Sequence, residues 1–203
     1  MKRGAIILCG GQSSRMGVPK WSLPFGPETM LERVVRLVGT VCEPLVLVRA
    51  AGQVLPAFGK QIIIAEDARP DRGPLEGIAA GLAALPDQVE AAYVTTCDAP
   101  LVVPAFIERL FELLGDESAV APVHEGFVYP LSAVYRTRLL DVVSTLLEAD
   151  RLRPSDLFDL VATRRVSSQE LRDVDPRLDT LKNLNTPEEY LTALAQAGFT
   201  APP

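Results

Sequence analysis

The stretch LCGGQSSRMGVPK, Leu8 to Lys20, follows directly on the apolar run Gly4-Ala5-Ile6-Ile7. An apolar run ending in adjacent glycines reads as a buried strand feeding a loop, and this loop also carries Ser13, Ser14, Arg15 and Lys20. Glycines let backbone N–H groups approach an anion closely, and the two cations add full positive charge beside them. In an open parallel sheet, ligands bind past the carboxyl ends of the strands, which is where this loop leaves the first one. A Walker loop does not fit, because Gly17 is followed by Val18-Pro19-Lys20, and the G-x-G-x-x-G dinucleotide pattern is missing. The glycine pair taken alone is as well explained by a sharp turn.

Outward from the loop, strands alternate with helical patterns. Ala5–Leu8, Leu45–Val48, Ile62–Ala65 and Ala91–Thr96 read as buried strands. Met30, Leu31, Val34, Val35 and Val38 share one helical face, opened by the capping box Thr29-x-x-Glu32 and stopped at Gly39. Leu75–Leu85 is an alanine-rich helix, and Pro104–Leu114 is amphipathic. Strand and helix in alternation imply βαβ units: an α/β fold of three layers around a mainly parallel sheet. The rhythm loosens after Ser118, where Val120–Val123 and Phe127–Tyr135 flank a turn at Glu125-Gly126, a small antiparallel excursion. A helix over Arg136–Ala149, a short one over Pro154–Leu160 and a strand near Ala162–Val166 follow. Thr186 caps the last helix, with Pro187 in its first turn, Glu189 completing a capping box and Gly198 beyond its end. With no repeat or linker, residues 1–203 read as a single domain.

The 203 residues are 48% hydrophobic and 23% charged, composition that suits one packed domain and not a disordered chain. No apolar run approaches the roughly 20 residues that cross a bilayer, so no membrane association and a cytoplasmic location are expected. The net charge of −6 argues against nucleic acid as a partner. Cys9, Cys42 and Cys97 are too few and too scattered for a disulfide framework or a zinc site, and read as small buried hydrophobes.

LCGGQSSRMGVPK as a whole resembles the signature of the nucleotidyltransferases related to molybdenum cofactor guanylyltransferase: Leu8, Gly10, Gly11, Ser13, Arg15, Met16, Gly17 and Lys20 match in order and spacing. The resemblance continues through EDARPDRGPLEGIAAGL (Glu66–Leu82), TTCDAPLV (Thr95–Val102), YPLSAVY (Tyr129–Tyr135) and KNLNTPEEY (Lys182–Tyr190). It implies a Rossmann-like nucleotidyltransferase fold, GTP and molybdopterin as substrates, Mg²⁺ as cofactor, and transient contact with molybdoenzymes or their chaperones. Pro19 stands where the family has an aspartate, and no asparagine occurs in Val48-Arg49-Ala50, where the family can carry one. Transfer from CTP, a sugar-phosphate acceptor, or a non-catalytic nucleotide-binding protein of the same fold therefore stay open.

The residues suit that chemistry. Asp98 follows a buried strand and reads as a capping aspartate or, as the resemblance implies, a Mg²⁺ ligand. Lys20 and Arg15 are expected to neutralise triphosphate charge and, with Asp98, form the catalytic set. The resemblance places the nucleotide along Leu8, Cys9, Gly10, Gly11, Lys20, Asp67, Gly73, Gly77 and Asp98, and the pterin substrate at Asn183 and Asn185. Glu76, between Gly73 and Gly77, is chemically able to accept the N1–H and amino group of guanine. His124 reads as a residue of an exposed turn, and Trp21 and Phe25 as packing residues of the loop.

Overall fold

The computed structural model describes residues 1–10, 19–58, 62–67, 69 and 72–200. The chain runs through β1 (Arg3–Leu8), a hairpin of β2 (Pro24–Phe25) and β3 (Glu28–Thr29), α1 (Met30–Val38), β4 (Leu45–Arg49) and β5 (Ile62–Glu66). Next come α2 (Pro74–Ala84), β6 (Ala91–Thr96), α3 (Pro104–Leu113), β7 (Ala119–His124), β8 (Phe127–Val128) and β9 (Ala133–Arg136). The last elements are α4 (Leu140–Glu148), β10 (Thr163–Ser167) and α5 (Pro187–Gln196).

The main sheet has the order β10-β7-β9-β6-β1-β4-β5, with β8 paired to β7. β1 pairs in parallel with β4 on one side and β6 on the other, and β5 continues the parallel run. β9 runs antiparallel to both β6 and β7, which is the antiparallel excursion. The chain moves outward from β1 to β4 and β5, then returns to β6 on the opposite side. Strand order therefore switches at β1, and a crevice opens past its carboxyl end.

Both faces of the sheet are buried, so its central strands are apolar throughout and alternate between two cores. Ala5, Ile7, Leu45, Leu47 and Tyr93 face α1 and α3. Ile6, Leu8, Val46, Val48 and Val94 face α2 and α4. A satellite core of Phe25, Met30, Leu184, Tyr190 and Leu194 joins the β2–β3 hairpin to α5.

Local signals agree with the structure where they depend on neighbours in sequence. Both capping boxes form: Glu32 N–H donates to Thr29 Oγ1 at 3.2 Å, and Glu189 N–H donates to Thr186 Oγ1 at 3.2 Å. The turn at Glu125-Gly126 has positive φ at both residues, as a tight hairpin requires. The strand expected over Phe127–Tyr135 is interrupted. A 3-10 turn at Pro130–Ser132 separates β8 from β9, because Pro130 has no N–H for a ladder. The helix expected from Arg136 opens as a 3-10 turn at Thr137–Leu139 and becomes α-helical at Leu140. The strand expected near Ala162–Val166 spans Thr163–Ser167.

α2 lies directly on β1. A Cβ built on Gly81 would sit 2.3 Å from Ile6 Cγ2, and Ile6 is a fully buried residue of a central strand with no room to yield. Gly81→Ala gains up to about 1 kcal/mol of helix propensity, but overpacking costs about 1–3 kcal/mol. Denaturant unfolding is therefore expected to show a less stable variant; equal or greater stability would contradict this contact.

Candidate active site

Past the carboxyl ends of β1, β4, β5 and β6 lies a cleft of about 670 Å³. Leu8, Val48, Ala50 and Leu131 supply apolar wall, Asp67, Arg69 and Arg72 supply charge, and Gly10, Gly73 and Gly77 supply backbone. Thr96 lines the same cleft. Gly73 and Pro74 are the N-cap and first residue of α2, so the positive end of a helix opens on the space. Walls of this kind suit a flat, partly polar ring with an anionic tail.

Three distant segments meet beside Thr96. Lys20 Nζ lies 3.1 Å from Asp98 Oδ2 and 2.8 Å from Asn185 Oδ1. Thr96 Oγ1 donates to the other oxygen of Asp98, and Leu184 N–H donates to the Asp98 carbonyl at 2.8 Å. Asn185 N–H donates to Glu189 Oε2 at 2.6 Å, so the capping box of α5 also holds this residue. Asn185 Nδ2 reaches the carbonyl of Asn183 at 3.4 Å. Lys20 and Asp98 keep 18% and 16% of their side-chain surface, enough to meet a ligand without being loose in water.

A divalent cation fits Asp98. Among the described residues no group of three or more His, Cys, Asp or Glu could cage a metal. A hard cation that relies on phosphate oxygens and water needs only one or two carboxylates from the protein. The Asp98 carboxylate is held by Thr96 and Lys20 and keeps part of its surface open, so it is the carboxylate here that would hold such an ion.

Asp67 stands apart electrostatically. Its carboxylate is wedged between two glycines: a Cβ on Gly10 would lie 3.1 Å from Oδ2, and one on Gly77 would lie 3.1 Å from Oδ1. Oδ1 is buried without a hydrogen-bond partner among the described residues. Burial pushes the Asp67 carboxyl above its usual range, and the nearby Glu76 charge pushes in the same direction. An unpaired, desolvated acid in a cleft is a functional signature more often than a structural one.

Lys20, the end of β6 and the approach to the last helix thus meet at one site, which joins the cleft through Thr96. A family model described as the MobA-like NTP transferase domain matches residues 5–163. The chain belongs to the MobA-like NTP transferases. It is 35% identical to the probable molybdenum cofactor guanylyltransferase of Methanosarcina mazei, over 96% of this chain and 91% of that one. It is 34% identical to the molybdenum cofactor guanylyltransferase of Desulfosudis oleivorans, over 94% of this chain and 93% of the other. Its fold is shared by a solved structure of molybdopterin-guanine dinucleotide biosynthesis protein A from Archaeoglobus fulgidus. That match has a TM-score of 0.77 at 22% identity, covering 98% of this chain and 99% of the other. As a MobA-like NTP transferase the chain is a nucleotidyltransferase of Rossmann-like α/β fold.

This MobA-like chain brings together most of the residues its sequence singles out. Leu8, Gly10, Asp67, Gly73 and Gly77 line the cleft, and Lys20, Asp98, Asn183 and Asn185 gather at its end. Gly11 and Arg15 lie outside the described residues. Cys9 contributes main chain only. Its thiol is buried in the core against Cys97, whose hydrogen bond together with burial pushes it well above the ordinary thiol range. Glu76 does not offer itself to a base: it is buried and paired with Arg69 and Arg72. His124 caps the end of β7, with Nδ1 2.9 Å from Ser168 Oγ. Trp21 is half-buried against the core and Phe25 is fully buried.

Sequence reasoning missed Gln53, whose Nε2 donates to the Cys9 carbonyl at 3.2 Å while Oε1 accepts from Ala50 N–H at 3.0 Å. It ties the start of the glycine loop to the loop after β4. Its only sequence signal is a polar amide beside Gly52 in a turn. Arg69 and Arg72 carry no sequence signal beyond a charged cluster after Asp67, and their roles appear only once Glu76 is seen to be buried.

Asp67 makes the stability of the fold depend on pH. Its carboxyl titrates higher in the folded protein than in the unfolded chain, so the native state holds the proton more tightly. Stability from this group is then full below the unfolded value and is lost as pH rises through the folded one. Asp67→Asn removes that penalty. The variant is expected to melt higher than the parent at neutral pH, with the difference closing below the usual carboxylate range, while nucleotide binding weakens. A variant that melts lower at neutral pH would show that Asp67 is not an unpaired charge.

Proposed function

We propose that the protein transfers GMP from GTP to the terminal phosphate of molybdopterin, releasing pyrophosphate, with Mg²⁺ held at Asp98. The observation that carries this reading is the meeting of Lys20, Asp98 and Asn185 at the end of a nucleotide-sized cleft. It is supported by relatives 34–35% identical over nearly the whole chain that bear the guanylyltransferase name.

The chemistry is an in-line displacement. An oxygen of the acceptor's terminal phosphate bonds to the α-phosphorus of GTP. The bond from that phosphorus to the bridging oxygen breaks, and its electron pair leaves on pyrophosphate. The attacking phosphate is already anionic, so no side chain has to remove a proton. The protein's work is positioning and charge stabilisation. Lys20 meets charge accumulating on the leaving group, with Arg15 assigned the same duty. Leu8, Cys9, Gly10 and Gly11 receive the nucleotide through main chain, and Gly73 and Gly77 form the floor of its pocket. Asn183 and Asn185 hold the acceptor beside Asp98. Mg²⁺ held by Asp98 would supply electrostatic neutralisation of the triphosphate. The reading places the protein in the cytoplasm, with molybdoenzymes or their chaperones as transient partners for its product. Among the described residues no helix is long and apolar enough to cross a membrane.

Pyrophosphate release is the direct test, with GTP or CTP, Mg²⁺ and molybdopterin or a sugar phosphate as acceptor. Release with GTP and molybdopterin is expected. Release only with CTP, or only with a sugar phosphate, would replace the corresponding substrate; no release with any pair would leave a binding protein. Asp98→Ala is expected to lower turnover by at least about a hundredfold while circular dichroism stays that of the parent. Turnover near the parent's would remove the metal assignment.

A further inference from the structure

We infer that Arg69 reads the O6 and N7 edge of the guanine base and that Glu76 is the residue that positions it; this rests on the guanylyl-transfer reading above. The two arginines of the cleft are held differently. Arg72 is turned to the protein: Nη2 donates to the Leu147 carbonyl at 2.8 Å, Nη1 lies 3.2 Å from Asp150 Oδ1, and Nε is buried 3.8 Å from Glu76 Oε2, close enough for charge attraction but not for a hydrogen bond. Arg72 is a strut. Arg69 uses one edge only: its Nε donates to Glu76 Oε1 at 3.2 Å, and its Nη2 lies 3.1 Å from Glu76 Oε2 as an ion pair without hydrogen-bond geometry. Its Nη1 has no partner among the described residues, and its side chain lines the cleft with 47% of its surface exposed.

Glu76 is what makes this a fixed fork and not a mobile surface charge. It sits in the first turn of α2 and is 5% exposed. A buried carboxylate that lost its cations would carry a large desolvation penalty, so the pairing locks Arg69 in one orientation. A guanidinium anchored along one edge presents its remaining N–H groups in a plane. That geometry matches the adjacent O6 and N7 acceptors of guanine.

The position in the cleft agrees with a base-reading role. The phosphate end is marked by Gly10, Thr96 and the Lys20–Asp98 pair. Arg69 lines this same cleft together with Gly73 and the apolar wall of Leu8 and Val48. Adenine carries an amino donor where guanine carries O6, so it would set N–H against N–H at this fork. Cytosine has no N7.

Nucleotide binding measured by calorimetry, with GTP, ITP, ATP and 7-deaza-GTP as probes, tests the assignment. ITP keeps O6 and N7 but lacks the amino group; 7-deaza-GTP has carbon in place of N7. Arg69→Ala is expected to weaken GTP and ITP by a similar factor, roughly ten- to a hundredfold, and to narrow the preference for GTP over ATP. Its effect on 7-deaza-GTP should be markedly smaller, since one of the two acceptors is already missing. Glu76→Gln should reproduce the same ordering of probes to a lesser degree and add little to Arg69→Ala. A purely structural loss would weaken all four nucleotides alike. Equal weakening of GTP and 7-deaza-GTP, or no change with either, would overturn the proposal. A parent protein that binds CTP and not GTP overturns the guanylyl reading itself, and this inference with it, before any variant is compared.

Discussion

The close seat of α2 on β1 is the constraint from which the rest of the site follows. Gly77 and Gly81 turn bare backbone towards Leu8 and Ile6, and a side chain on either would push the helix away from the central strand. Because the helix lies this low, its first turn reaches the level of the carboxyl end of β1. Gly73 and Pro74 then face the crevice at the switch point, and Asp67 is enclosed between Gly77 and Gly10. A packing requirement in the middle of the sheet therefore sets the depth of the cleft, the direction of a helix dipole and the burial of a carboxylate.

Charge within the site is arranged against the general character of the protein. A chain of net charge −6 repels triphosphate at long range, so attraction has to be local. Lys20 supplies it, and like Arg69 and Arg72 it is fixed by an acid or an amide instead of waving in solvent. Fixed donors need little reorganisation when charge moves in the reaction, which is where electrostatic catalysis gains most. Asp67 is the exception, an acid in the cleft whose buried oxygen has no hydrogen-bond partner among the described residues, and its cost to the folded state is the mark of a residue kept for a ligand.

The sequence was most legible where physics is local. The capping boxes at Thr29 and Thr186 depend on residues three apart, and the central strands are readable because a doubly buried strand must be apolar. The fold class follows from their alternation with helices. The break at Pro130 was harder: Phe127 to Tyr135 keeps a strand-like composition, and only the missing N–H interrupts it. The site was legible as a set of residues but not as a set of contacts. Lys20 and Asn185 are 165 positions apart, and no periodicity connects them. Glu76 shows the limit most clearly. A glutamate between two pocket glycines has the chemistry to face a base, and only its burial against two guanidiniums reveals that it faces cations instead.

The satellite core explains how such distant segments hold a common geometry. Phe25, in the hairpin just after Lys20, packs edge-on against Tyr190 of α5 and against Phe199 beyond it. Arg33 of α1 stacks over Phe25 and Phe199, 5.0 and 5.6 Å from their ring centres, and its Nε donates to the Pro100 carbonyl at 2.8 Å. One side chain thus touches the hairpin that follows Lys20, the loop that follows Asp98 and the chain end that follows Asn185. Phe199 fits there because the residue beneath it is Gly26, where any Cβ would enter the ring. These contacts lie outside the cleft, yet they fix the relative positions of the lysine, the carboxylate and the amide inside it. A site built by positioning has to be held from behind, and in this chain the aromatic cluster around Arg33 does the holding.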